Sequence, residues 1–261
     1  VPKVEIIDGN PENILEFGVC GYKSPKRPGF PEKTAWLKKR FREGLRLKYL
    51  HSPADGVQGM IEYLPGELCW RPVDAAGYTF IHCLFSGFRR AYKGRGYGSK
   101  LLSACLTEAK GRKVHGVCTV TRRGSFMAGR EIFQRHGFEK VDDAPSDFEL
   151  MVKKFRKRAP NPRFRPDREK ELRRFRKGLA ILRADQCPYT VKNVEEICRT
   201  AREEFGLRPR VVHLKTCEDA QRNPCAFGTF GIVLRGEIIA EHPISNTRFK
   251  NIMDKIERRK Y

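Results

Sequence analysis

Short apolar runs broken by polar residues and glycines fill the first half of the chain, and their period switches between that of a strand and that of a helix. Val4–Ile7 is a strand-like start. In Pro31–Leu45, residues Trp36, Leu37, Arg40 and Phe41 recur at helical spacing, with Pro31 suited to a first turn. Leu45–Leu50 alternates apolar and basic residues as a half-buried strand does. Val57–Leu64 and Tyr78–Phe85 read as further strands. Ser99–Lys110 carries Leu101, Leu102, Cys105, Leu106 and Ala109 on one stripe, which predicts an amphipathic helix. Val114–Val120 reads as a strand, Met127–His136 as a short helix closed by Gly137, and Phe138–Val141 and Phe148–Val152 as the last strands. The mixture predicts an α/β or α+β domain.

This pattern stops near residue 153. Residues 153–183 hold 14 Lys or Arg against three acidic residues, a local excess of +11 and so half of the chain's +22. Pro160, Pro162 and Pro166 punctuate the stretch, and proline fixes φ and removes a donor. Residues 156–177 therefore read as a basic connector with a short charged helix in Asp167–Lys177, between a first domain, 1–155, and a second, 178–261. In the second, Gly178–Arg183 is strand-like and leads into Cys187-Pro188-Tyr189-Thr190. An amphipathic helix follows with Val191, Val194, Ile197, Ala201 and Phe205 on one side. Val211–Leu214, Thr229–Leu234 and Ile238–Glu241 read as strands and Thr247–Arg259 as a terminal helix.

Composition narrows the classes. At 39% hydrophobic residues the chain has enough apolar side chains for a core. It has no apolar stretch of spanning length, which excludes a membrane helix and predicts no membrane partner. Val1-Pro2-Lys3 begins no signal-peptide-like apolar run, and the nine cysteines include no CxxC pair, so a reducing, cytoplasmic setting is expected. Cys187, Cys198, Cys217, Cys225 and His213 are too irregularly spaced for a zinc site, and no metal is expected. The excess charge suggests a polyanion, with residues 153–183 as the candidate contact and a nucleic-acid- or ribosome-associated binding protein as one functional reading.

The most informative segment is Lys93-Gly94-Arg95-Gly96-Tyr97-Gly98-Ser99, which follows the strand at Tyr78–Phe85 and opens the helix at Ser99. Alternate glycines let backbone N–H groups point inward, and the helix adds its own N-terminal donors and positive dipole end. That is an anion cradle, with phosphate its natural guest. Neither a Walker GxxxxGK[ST] pattern nor GxGxxG is present. The spacing instead resembles the [QR]xxGxG motif of the GNAT N-acetyltransferase superfamily, with lysine at its first position. Ile132-Phe133-Gln134-Arg135-His136-Gly137-Phe138 resembles that superfamily's "LYEKLGF" block. Gly59–Glu67, Trp70-Arg71-Pro72-Val73-Asp74, Phe80-Ile81-His82-Cys83, Phe227-Gly228-Thr229-Phe230 and Ile244–Phe249 are similar to the subgroup with a YoaP-like C-terminal region.

The resemblance implies a GNAT fold with a mixed, mainly antiparallel sheet, acetyl-CoA as donor, and a small-molecule or peptide amine as acceptor that attacks the thioester directly. The loop amides of Lys93, Gly94, Arg95, Gly96, Tyr97, Gly98 and Ser99 would hold the pyrophosphate. Leu84, Phe85 and Phe88 would lie along the pantetheine. The superfamily's usual acid, a tyrosine, is replaced by Phe133, and its usual asparagine by Phe126. A thiol with a pKa of about 8.5 is nevertheless a tolerable leaving group near neutrality. Taking a proton from the attacking ammonium falls to a base, for which Glu62, His82 and Cys83 are the main candidates and Glu67, Ser125 and His115 weaker ones. An inward Glu62 would suit a base, and simple alternation puts His82 and Cys83 on opposite faces. Trp70 and Tyr78 are candidate acceptor-pocket linings.

The second domain, with Cys-Pro-Tyr at a strand-to-helix turn, resembles a smaller thioredoxin-like α/β fold. Thr190 stands where a resolving cysteine would be, and Gly228 where a cis-proline would be. A dithiol cycle is thereby excluded, and a monothiol transferase or reductase built on Cys187 remains as a third reading.

Overall fold

The computed structural model describes residues 3–165 and 167–258. Pro166 and Arg259, on which part of the expected connector and terminal helix fall, lie outside them. The chain divides into two compact units, Val1–Cys69 with Val73–Phe164, and Trp70–Pro72 with Arg165–Tyr261.

The first unit is built on a seven-stranded sheet in the order β1-β2-β3-β5-β6-β8-β7. Its strands are β1 (Glu5–Gly9), β2 (Arg46–Ser52), β3 (Gly56–Pro65), β5 (Thr79–Ser86), β6 (Gly116–Thr121), β7 (Glu139–Ala144) and β8 (Phe148–Lys154). All neighbours are antiparallel except β5 and β6. The short strands β4 (Val73–Asp74) and β9 (Arg163–Phe164) pair separately. The helices are α1 (Ile14–Phe17), α2 (Phe30–Arg42), α3 (Tyr97–Gly111) and α4 (Arg130–Gln134).

Helix α3 forms where the apolar stripe predicts it, but begins two residues earlier, so Tyr97 and Gly98 belong to its first turn. Its Leu101, Leu102, Cys105 and Ala109 are fully buried against Leu50, Ile61, Tyr63 and Ile81 of one sheet face. Helix α2 supplies a second stripe of buried residues, Phe30, Lys33, Trp36, Leu37 and Arg40. It ends at Arg42, and Gly44 at φ +90° turns the chain into β2. The short helix expected over Met127–His136 shrinks to Arg130–Gln134, closed by Gly137 at φ +75°.

In the second unit, β10 (Leu179–Arg183) pairs in parallel with β11 (Pro209–His213) across α6 (Tyr189–Glu203). Strand β12 (Phe230–Leu234) then lies antiparallel on the other side of β10, followed by β13 (Glu237–Ala240). Helices α5 (Arg168–Leu172), α7 (Cys217–Gln221) and α8 (Asn246–Arg258) complete the unit. A β-α-β unit followed by an antiparallel pair and a terminal helix is the connectivity that the thioredoxin-like resemblance implies. Arg71 is 2% exposed and counts within this unit; its guanidinium donates to the carbonyl of Phe227 and, at 3.0 Å, to Thr229 Oγ1.

The basic stretch is more than a tether. Phe175 is buried, and Glu171, 5% exposed, accepts from Arg174 at 2.6 Å and from Arg222 at 3.0 Å. Arg168 reaches the carbonyl of Pro224 and the carboxylate of Glu241, and Arg165 reaches Gln221.

Candidate active site

Strands β5 and β6 begin as a regular parallel pair and then part. Their pairing covers Thr79–Ile81 against Val117–Thr119 and no further. Thr119 Oγ1 donates to the Ile81 carbonyl at 3.0 Å at the point of divergence. Beyond it, β5 runs on through Ser86 and β6 through Thr121 with no pairing between them. Two facing edges without a strand between them are a template for an extended polar ligand.

The end of β5 is fixed beside the start of α3 by small residues. A Cβ at Gly59 would stand 2.6 Å from the Phe85 carbonyl oxygen, and one at Gly98 would stand 3.3 Å from Ser86 Oγ and 2.9 Å from Ile132 Cδ1. The loop between them is anchored at both ends by buried tyrosines. Tyr92 donates to Asp55 at 2.7 Å and accepts from Ser52 Oγ at 2.8 Å, and its ring lies 5.9 Å from that of Tyr97. Lys93, Gly94, Arg95 and Gly96, between these anchors, are exposed. Gly94 and Gly96 have φ +68° and +75°, a region costly for other residues, and a Cβ on either would meet nothing within 4 Å. The first intrahelical bond runs from Lys100 N to the Gly96 carbonyl, so the amides of Gly98 and Ser99 precede it at the positive end of the helix dipole. The result is an open, cationic loop of backbone donors at the mouth of a strand cleft.

On the other sheet face lies a buried ion pair that the sequence reading missed. Glu62 is fully buried, as is Lys33 of α2, and the Lys33 ammonium donates to Glu62 Oε2. Burial pulls the Lys33 pKa down, but the adjacent Glu62 carboxylate outweighs it and holds the ammonium above its ordinary range. The Trp36 ring lies 4.3 Å from the ammonium. Glu62 points inward, as a base would, but its charge is already engaged. The signal for Lys33 was in the sequence: it stands three residues after Phe30 and three before Trp36, on the apolar stripe of α2.

The alternation assumed for His82 and Cys83 is corrected by a β-bulge. Ile81 pairs with Tyr63 and Cys83 with Glu62, so His82 is the extra residue. The His82 ring lies 5.1 Å from that of Phe80, which puts both on the Glu62 face together with Cys83. His82 is buried and Cys83 half-buried. Leu84 is half-buried on the α3 side, and Phe85, 43% exposed, stacks on Phe88 at 4.5 Å.

The weaker candidates are engaged elsewhere. Glu67 accepts from the Gly77 amide at 2.6 Å, and His115 packs on Tyr78 at 5.7 Å. Tyr78 donates to the Pro160 carbonyl, and Trp70 is fully buried and counts with the second unit, so neither lines an acceptor pocket in the first. Ser125 and Phe126 are exposed, and Phe133 is buried against Phe138 in the α3 core. In the second unit Cys187 is half-buried just ahead of α6, and Thr190 Oγ1 donates to its carbonyl at 2.9 Å. No cluster of three or more His, Cys, Asp or Glu that could hold a metal occurs among the described residues, and no helix among them is long and apolar enough to cross a membrane. A polyanion contact through residues 153–183 is not supported, because many of those cations already serve internal carbonyls and carboxylates.

The Acetyltransferase (GNAT) family model matches residues 22–138, and the YoaP-like model matches residues 210–251. Residues 22–138 thus match a GNAT acetyltransferase domain, and residues 210–251 a YoaP-like region that follows it. Over 247 residues it is 28% identical to the uncharacterized N-acetyltransferase YoaP of Bacillus subtilis (strain 168), spanning 93% of this chain and 96% of that protein. Among solved structures it is similar to a GNAT-family acetyltransferase of Staphylococcus aureus Mu50, at 14% identity and a TM-score of 0.43 over 59% of this chain and 100% of the other. It is also similar to a GNAT-family acetyltransferase of Brucella melitensis in complex with acetyl-CoA, at 17% identity and a TM-score of 0.40 over 62% and 94%.

Proposed function

We propose that the chain transfers an acetyl group from acetyl-CoA to an amine acceptor, a small molecule or a peptide. The observation that carries the reading is the exposed loop Lys93–Gly96, with two glycines at positive φ beneath open space, set against the unpaired edge of β5. The pyrophosphate would rest on the amides of residues 94–99 with Lys93 and Arg95 supplying charge. The pantetheine would extend β5 along Leu84, Phe85 and Phe88 as an added strand would. A carbonyl at the bulge would meet a backbone N–H there, which stabilises developing oxyanion charge. Direct attack by the amine is the route the family resemblance implies. Its base would come from the Glu62, His82 and Cys83 group, with Glu62 restrained by Lys33.

The reading is tested by thermal unfolding with and without acetyl-CoA. A ligand at 100 times its Kd stabilises by about 2.7 kcal/mol. The Tm is expected to rise for the wild type and not for Gly96→Leu, whose side chain fills the space over the loop. A wild type with neither a Tm shift nor a heat of binding would refute it.

A further inference from the structure

We propose that the acceptor is an apolar amino acid, an amine with an aromatic or aliphatic body and a carboxylate, held on the sheet face opposite the glycine loop with Arg27 on its carboxylate. The proposal rests on the acetyl-CoA reading above and deepens it.

Where β5 and β6 part, the two faces of the sheet differ in what they present. The glycine loop and α3 lie on one, and Leu84 packs against the α3 core there. Phe85 pairs with Met60 and Cys83 with Glu62, so Phe85 projects from the other face, above the Lys33–Glu62 pair. Donor and acceptor would then approach the cleft from opposite sides. Phe85 is 43% exposed and stacks on Phe88 at 4.5 Å. The segment between α1 and α2 closes on this pair: a Cβ at Gly21, where φ is +82°, would stand 2.7 Å from Phe88 Cε1. The ring left in water beside the cleft suits an apolar body.

Charge supplies the other half of the assignment. Residues 18–29 contain no acidic residue, and their Lys23, Lys26 and Arg27 are exposed. Neighbouring carboxylates are engaged elsewhere: Glu32 caps the Gly29 amide, Asp55 takes Arg89 and Tyr92, and Glu62 takes Lys33. No ion pair among the described residues includes Lys23, Lys26 or Arg27. The Arg27 guanidinium lies 3.7 Å from the centre of the Tyr22 ring, one residue from the Gly21–Phe88 contact. A guanidinium held by its face keeps its N–H edge for a bidentate carboxylate. A polycationic amine would meet repulsion at this rim and a net-neutral pair beneath it.

The transfer stays direct. The neutral amine nitrogen attacks the thioester carbonyl, and the N–C bond forms as the C–S bond to CoA breaks. The nitrogen gives up a proton, and the CoA thiolate takes one up.

The test gives the full-length protein acetyl-CoA with L-phenylalanine, 2-phenylethylamine or spermidine, and follows the acetylated amine by mass spectrometry. N-acetylphenylalanine is expected, with a kcat/KM about 10–100-fold above that for 2-phenylethylamine, which lacks the carboxylate. Arg27→Gln, a change at an exposed position, should bring the two amines level. Damage to the fold would lower both alike, so the ratio isolates recognition of the carboxylate. A protein whose Tm rises with acetyl-CoA overturns the acceptor assignment, and leaves the donor reading standing, if it prefers spermidine, treats the two phenyl amines equally, acetylates none of the three, or keeps its ratio in Arg27→Gln. A protein with no Tm response overturns both.

Discussion

Replacing Lys33 by methionine removes the ammonium and leaves the Glu62 carboxylate alone in a site where both side chains are 0% exposed. Breaking a buried ion pair from one side costs about 3–5 kcal/mol, because the remaining charge keeps its full desolvation penalty. The lost contact between the ammonium and the Trp36 ring, 4.3 Å away, adds about 0.5–2 kcal/mol, which methionine's apolar contact with the indole partly restores. For a unit of this size 1 kcal/mol corresponds to about 2–4 °C, so the Tm should fall by roughly 6–20 °C. Removing both charges in Lys33→Met/Glu62→Leu should return most of that stability, since apolar replacement of a buried pair is often neutral or better. Urea unfolding at neutral pH, compared at constant m, measures each variant. Because the folded Lys33 pKa is raised, its contribution is fully present below the unfolded value of about 10.4 and is lost as the pH rises through the folded value. The wild-type advantage over Lys33→Met should therefore shrink only in strongly alkaline buffer. A single variant that loses less than about 1 kcal/mol, or a double variant no more stable than the single, would show that the pair is not desolvated as the structure has it.

Two further outcomes follow from the second unit. Gly228→Ala should cost more than about 2 kcal/mol, because its φ is +76° and a Cβ would stand 2.4 Å from the Trp70 carbonyl oxygen; a loss under about 0.5 kcal/mol in chemical unfolding would contradict that placement. Burial pushes the Glu171 pKa up, but hydrogen bonds from Arg174 and Arg222 outweigh it and hold the carboxyl below its usual range. Its contribution is then present above the unfolded value of about 4.3 and lost as the pH falls through the folded one. Glu171→Gln should flatten the acid limb of the stability curve, and an unchanged limb would count against the pairing.

Much of this was legible in the chain and some was not, for identifiable reasons. The α3 stripe, the glycine loop and the strands around them follow from local periodicity and from glycine's access to positive φ. The start of α3 was misplaced because Gly98 reads as loop by composition, although its lack of a side chain serves close packing on Ser86 and Ile132. The faces of His82 and Cys83 were misassigned because a bulge is a property of two paired strands, and one strand's alternation does not reveal it. Lys33 was overlooked because lysine is assigned to water by default; only its partner on β3 explains why it interrupts an apolar stripe. The basic stretch misled in a related way. Counting charge says nothing about which cations have a carboxylate or carbonyl waiting elsewhere in the sequence, as Arg168 has in Glu241 and Pro224.

The three-residue pairing between β5 and β6 has a consequence for how the first unit assembles. Strands β1, β2, β3 and β5 form one antiparallel set, and β6, β8 and β7 another. Within each set most neighbours are joined by short or moderate connections that close at modest entropic cost. The two sets meet only along Thr79–Ile81 and Val117–Thr119, across a connection that contains α3. The two sets dock along this seam beneath α3, whose buried stripe shares a core with Ile81 of β5 and Val117 of β6. The cleft is then the length over which that docking stops short. A substitution that tightened the seam by extending it past Ile81 would speed or strengthen assembly while closing the space where the donor is proposed to lie.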